Sequence, residues 1–258
     1  MTVDRRLFLA GAAAIAAAPS LASGPAVPGV VELRQYTLKG GTRPDFTRLF
    51  ERNFIDSQAA VGSHVLGIFR DLDDPDRFVW LRGFADMDAR KAALEAFYYG
   101  PIWQAHRTQA NAMIVDSDNV MLLRLINGAG LLARPPEASR PGLIRIAIHS
   151  LRGVDIAAFA TFFEARMLPL IRAAGATALA TLATESAPNN FPRLPVREHE
   201  PMFLWLAHFP DEAAERAFTR KLAQDGGWRD GIAGALLPAL MRKPEILRLA
   251  PSPMSRLR

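Results

Sequence analysis

The sequence predicts an α+β fold, two tandem β-α-β-β-α-β units closed into one barrel within a single chain. Three observations predict it. The 258 residues are 50% apolar and 22% charged, enough to bury a sizeable core and too apolar for a disordered chain. A shift of 113 residues superimposes Leu38-Lys39-Gly40 on Leu151-Arg152-Gly153, Phe46 on Phe159, Phe50 on Phe163 and Gly62 on Gly175. A shift of 125 then superimposes Phe78 on Phe203, Trp80 on Trp205, Phe84 on Phe209, Asp86 on Asp211 and Trp103 on Trp228, so all four tryptophans pair. The length difference falls between Gly175 and Phe203, where the polar, Pro-rich stretch 186–201 reads as a lengthened loop.

Each half gives the same order of elements. In the first, residues 30–38 alternate as a strand. Thr42 and Pro44 open a helix with Phe46, Leu49, Phe50 and Phe54 on one face, and Gly62 ends it. Residues 64–69 and 77–84 are strands around the turn Asp73-Asp74-Pro75-Asp76. Asp86 or Asp88 caps a second helix, which breaks at Gly100-Pro101 and resumes from Ile102. Residues 119–125 close the unit as a fourth strand. The second half repeats this with strand 143–151, helix 155–174, strands 178–184 and 202–209, helix 212–240 and strand 245–249. The order is that of the ferredoxin-like plait. The first unit is assigned to 30–126, a linker with Pro135-Pro136 to 127–141, and the second unit to 142–251. Each unit covers one sheet face with helices, and the other faces bury most simply against each other.

Residues 1–22 read as an export signal. Arg5-Arg6 precede Leu7-Phe8-Leu9, an Ala-rich apolar run follows, and Ser20-Leu21-Ala22 supplies small residues for cleavage near Ala22. The run of about 12 residues is too short for a permanent membrane span, which needs ~20. The twin arginines are similar to those of a bacterial twin-arginine (Tat) signal, which implies a periplasmic protein. The formal net charge of +5 comes mostly from scattered arginines, with no basic run interleaved with aromatics, so nucleic acid is not expected as a partner. The chain has no Cys, which excludes disulfides, thiol chemistry and Cys-based metal sites. Its five histidines show no metal-ligand spacing, and no P-loop, dinucleotide fingerprint or nucleophile elbow occurs. Neither metal nor cofactor is therefore expected.

Period-two alternation sorts the strands into faces. Val31, Leu33 and Gln35, with Ile144, Ile146 and Ile148, form one face, expected under the helices. The other face carries Glu32, Arg34 and Tyr36 beside Phe78, Trp80 and Arg82. Its second-half counterpart carries Arg145, Ala147 and His149 beside Phe203, Trp205 and Ala207. These are expected to line a cleft between the two sheets. The candidate ligand-binding residues are Glu32, Arg34, Tyr36, Trp80, Arg82, His106, His149 and Trp205. Aromatic walls with a few convergent polar groups suit a small apolar or aromatic molecule, and arginine suits a carboxylate on it.

Three segments carry a family resemblance. They are Val31-Glu32-Leu33-Arg34-Gln35-Tyr36-Thr37-Leu38-Lys39, then Phe97-Tyr98-Tyr99-Gly100-Pro101-Ile102-Trp103-Gln104-Ala105-His106-Arg107, then Asp116-Ser117-Asp118-Asn119-Val120-Met121-Leu122-Leu123-Arg124. Together they resemble the NIPSNAP family, whose members are similar to the dimeric α+β barrel superfamily. The resemblance implies that barrel and transfers no catalytic residue set. The second half departs from the motifs, with Ala147 at the place of Arg34 and His149 at that of Tyr36. The expected function is thus an exported ligand-binding protein of the NIPSNAP type, monomeric or homodimeric. The alternatives are a cofactor-free monooxygenase-like enzyme, with His149, Tyr36 or His106 as base, and a structural protein with a filled interior.

Overall fold

The computed structural model describes residues 27–128 and 142–258. The expected export signal at 1–22 and most of the expected linker lie outside the described residues. The first half runs β1 (Val30–Leu38), α1 (Arg43–Asn53), α2 (Ile55–Ala59), β2 (His64–Asp71), β3 (Arg77–Phe84), α3 (Met87–Tyr98), α4 (Pro101–Met113) and β4 (Ile114–Asn127). The second runs β5 (Leu143–Ser150), α5 (Ile156–Phe162), α6 (Leu168–Ala173), β6 (Thr177–Thr184), β7 (Met202–Phe209), α7 (Glu212–Gln224), α8 (Ala233–Ala239) and β8 (Glu245–Pro251). The eight strands close into an antiparallel barrel in the order β1-β3-β2-β8-β5-β7-β6-β4. Each half contributes four strands. The halves join where β2 meets β8 and where β4 meets β6.

Local chemistry repeats across the two halves. Gly62 and Gly175 both end the first helical segment of their half with positive φ, 89° and 109°, a backbone state that favours glycine. Asp86 and Asp211 both cap the following helix, accepting from the amides of Ala89 and Ala214 at 2.7 and 2.8 Å. Strand register repeats too. Arg34 lies opposite Trp80 and Ala147 opposite Trp205, while Tyr36 faces Phe78 and His149 faces Phe203.

The helices differ from expectation in one respect. The expected continuous helix 155–174 is interrupted by a π-helical turn, Phe163–Met167, just before Pro169. Pro169 has no N–H for the preceding turn, and the wider turn absorbs the lost bond, with Leu168 N–H donating to Phe163 O. A second such turn, Gly227–Ile232, divides the expected helix 212–240.

Which face of each strand points inward is the reverse of the sequence expectation. The barrel interior is filled by Val31, Leu33, Val79, Leu81, Ile144, Ile146, Ile148, Leu204 and Leu206 with Phe69 and further, mostly aliphatic neighbours, all buried. The aromatic and charged face lies outside the barrel, under the helices. The two sheets do not stack as open layers with a cleft; they curve and pair edge to edge. An eight-stranded barrel has an interior just wide enough for packed side chains, so compact aliphatics fill it. The tryptophans, the other phenylalanines of the described residues and the buried arginines lie in the deeper layer between sheet and helix.

Candidate functional site

Beneath the helices, the outer face of the first half carries a buried ionic cluster. Glu32 and Arg34 come from β1, Arg82 from β3 and Arg90 from α3; none is more than 1% exposed. Arg34 Nη1 donates to Glu32 Oε2 at 2.8 Å. Arg82 Nε donates to the same oxygen at 2.8 Å, and Arg90 Nε donates to Oε1 at 2.6 Å. Neutral acceptors surround the rest. Arg34 Nε donates to the Tyr36 hydroxyl at 3.0 Å, Arg82 Nη1 to Gln58 Oε1 at 3.0 Å, and Arg90 Nη1 to Asn189 and Asn190 at 3.1 and 2.7 Å. Two buried nitrogens, Arg82 Nη2 and Arg90 Nη2, make no hydrogen bond, although the former lies 2.7 Å from Glu32 Oε2.

Three cations around one carboxylate set the electrostatics. Burial pushes the Glu32 carboxyl up, but the guanidiniums of Arg82, Arg34 and Arg90 outweigh it and hold it well below the usual carboxylate range. Burial raises the Tyr36 hydroxyl, so it stays a neutral donor and acceptor at physiological pH. One carboxylate thus faces three guanidiniums, which remain charged. The cluster carries two positive charges in excess.

A cavity of about 100 Å³ opens against this cluster; one water needs only roughly 15 Å³. Arg34, Tyr36, Gln58, Asn111 and Ser117 supply its polar lining, and Trp80, Tyr98 and Trp103 the aromatic walls with Phe46, Phe50, Phe54 and Phe97. The Arg34 guanidinium lies over the rings of Tyr36 and Trp80, 5.4 and 5.7 Å from their centroids. The lengthened β6–β7 loop of the second half reaches across to complete the wall. Leu194 lines the cavity, Phe191 stacks on Tyr98 at 6.0 Å, and Asn190 Nδ2 donates to Met87 O at 2.6 Å.

Of the residues expected from the sequence, the structure gathers Glu32, Arg34, Tyr36, Trp80 and Arg82. They meet under the helices and not in an inter-sheet cleft. His149 and Trp205 occupy the equivalent layer of the second half, away from this cavity, and the buried His149 is pushed down to about 4 by desolvation. His106 sits on α4, half-buried at the edge of the aromatic cluster with Phe54 at 6.2 Å, and does not line the cavity. Sequence reasoning missed Arg90, Gln58, Asn189, Asn190 and Leu194. Arg90 did carry a signal, since it shares the buried stripe of α3 with Leu94 and Phe97.

Fold and site together define a single-chain α+β barrel, two plaits of one design with a cavity of about 100 Å³ under the helices of the first. Residues 31–127 match the NIPSNAP family model. Among solved structures, a candidate monooxygenase from Fusobacterium nucleatum is similar at 9% identity and a TM-score of 0.56, covering 86% of this chain and 91% of its own. A second candidate monooxygenase, from Lactobacillus acidophilus, has 11% identity, a TM-score of 0.54 and coverage of 87% and 94%. An uncharacterized NIPSNAP domain protein from Burkholderia xenovorans is 20% identical over 39% of this chain and 95% of its own, with a TM-score of 0.34. The two monooxygenase likenesses show the fold. The chain matches no curated protein. Among the described residues no helix is long and apolar enough to cross a membrane.

Proposed function

We propose that the chain is a NIPSNAP-type protein that binds a small molecule with an aromatic or apolar body in the cavity beneath the first-half helices. The observation that carries this reading is the aromatic-walled cavity itself, with the Arg34 guanidinium and Tyr36 hydroxyl converging on it. Binding fits better than acid–base catalysis. A general base must reach the proton it takes, and neither His106 nor His149 lines the cavity. Tyr36 does line it but is held neutral. Flat aromatic probes should quench or shift the emission of Trp80 and Trp103, and Trp80→Phe should remove most of that response. A probe that binds with no change in tryptophan emission, or a response unaltered in Trp80→Phe, would place the ligand elsewhere.

Export belongs to the same proposal. The twin arginines and the small residues before Ser23 support a Tat-type signal, with the mature protein in the periplasm. N-terminal sequencing of protein from a periplasmic fraction should begin at Ser23; an intact Met1 start recovered from the cytoplasm would refute it.

A further inference from the structure

Resting on the cavity reading above, we infer that its ligand is an organic anion, an aromatic or apolar body ending in a carboxylate or an equivalent oxyanion that meets Arg34. The charges around that residue do not balance. Glu32 is the one carboxylate hydrogen-bonded to Arg34, Arg82 and Arg90 among the described residues, and the other acceptors around them, Tyr36, Gln58, Asn189 and Asn190, are neutral. Burying unbalanced charge is costly, and the cost falls when a counter-charge arrives.

The other half folds without that imbalance. There Ala147 and Ala207 stand where Arg34 and Arg82 stand in the first, and the ion pair is reversed. Arg145 on β5 pairs with Glu215 on α7, at the positions equivalent to Glu32 and Arg90. Arg248 also pairs with Glu215, at 3.0 Å, and with Asp73 at 2.7 Å. The second plait folds with nearly balanced charge, so the excess in the first is not required to hold the fold.

Geometry assigns the contact to Arg34. Arg82 and Arg90 sit behind the wall, whereas Arg34 lines the cavity and spends only Nε and Nη1 on Tyr36 and Glu32. Its Nη2 makes no hydrogen bond to any described residue. An oxyanion there would accept from Nη2, with the Tyr36 hydroxyl as a second donor, while its ring system lies against Trp80 and the phenylalanines.

Two probes of the same shape separate charge from shape: 2-naphthoate and neutral 2-naphthamide, titrated calorimetrically into the full mature protein at neutral pH. The naphthoate should bind at least about tenfold more tightly, the effect of one charge-assisted hydrogen bond. In Arg34→Met the preference for naphthoate over naphthamide should vanish. Equal binding of the two probes by the wild-type protein would overturn the anion inference and leave the cavity reading standing. No binding of either probe would overturn both. A preference that survives in Arg34→Met would remove Arg34 from the site. The wild-type comparison decides the charge question even where the variant does not fold.

Discussion

The two halves of this barrel keep one scaffold and differ in what they bury on it. Trp80 and Trp205 occupy equivalent register positions, both buried with an unpaired indole N–H, yet their surroundings diverge. Around Trp80 lie three guanidiniums, one carboxylate and a cavity. Around Trp205 lie Ala147, Ala207, His149 and closely packed phenylalanines. A plait tolerates either solution, because strand pairing, the capping aspartates and the helix-ending glycines do not depend on the layer between sheet and helix. What a duplicated fold frees is therefore that layer.

The largest effect expected from this contrast comes from removing Glu32. Glu32→Gln leaves three buried guanidiniums without a carboxylate and should cost about 3–5 kcal/mol, read as a drop in the denaturation midpoint. Glu215→Gln should cost less, about 1–3 kcal/mol, because Arg145 and Arg248 are partly exposed and water can replace the lost partner. Equal costs would mean that the two clusters are energetically alike.

A pH titration separates the halves next. His149 is neutral in the folded barrel down to about 4, against an ordinary value of 6.5. The unfolded chain therefore binds a proton that the folded one refuses, and stability falls as pH drops through that interval, by about 3 kcal/mol in all. His149→Tyr, which installs the first-half residue, should flatten the slope between those two values. An unchanged slope would remove His149 as its source. The loss from Glu32 begins only near its ordinary value of 4.5, at the foot of this window, and runs on to lower pH, because its folded value is depressed.

Smaller effects test the loop that crosses between halves. Phe191→Ala should weaken 2-naphthoate binding several-fold and lower stability by about 1–3 kcal/mol, since it strips one ring from Tyr98 and loosens the wall. Smallest of all, Arg34→Met should change stability by less than about 1 kcal/mol, because Glu32 keeps Arg82 and Arg90. A loss as large as that of Glu32→Gln would make Arg34 a structural cation and not a ligand-facing one.

Much of this arrangement was legible in the sequence, for identifiable reasons. The shifted repeats marked the eight strands in order and the pairing of Trp80 with Trp205, because register preserves them. Alternation correctly grouped Glu32, Arg34, Tyr36, Trp80 and Arg82 on one face but could not say which way that face pointed. Both faces are largely apolar, and the choice rests on the width of a closed barrel, a property of all eight strands together. Asn189, Asn190 and Leu194 were illegible for another reason. The two asparagines meet Arg90 across a sequence separation of 99 and 100 residues, and nothing in the local pattern of their loop marks the half it serves.

A crystal structure of the mature protein with 2-naphthoate would show where the anion sits. The ring system should lie between Trp80 and Trp103, its carboxylate within hydrogen-bond distance of Arg34, with no molecule in the equivalent layer of the second half. Naphthoate inside the aliphatic barrel, or beside Trp205 and His149, would contradict that placement.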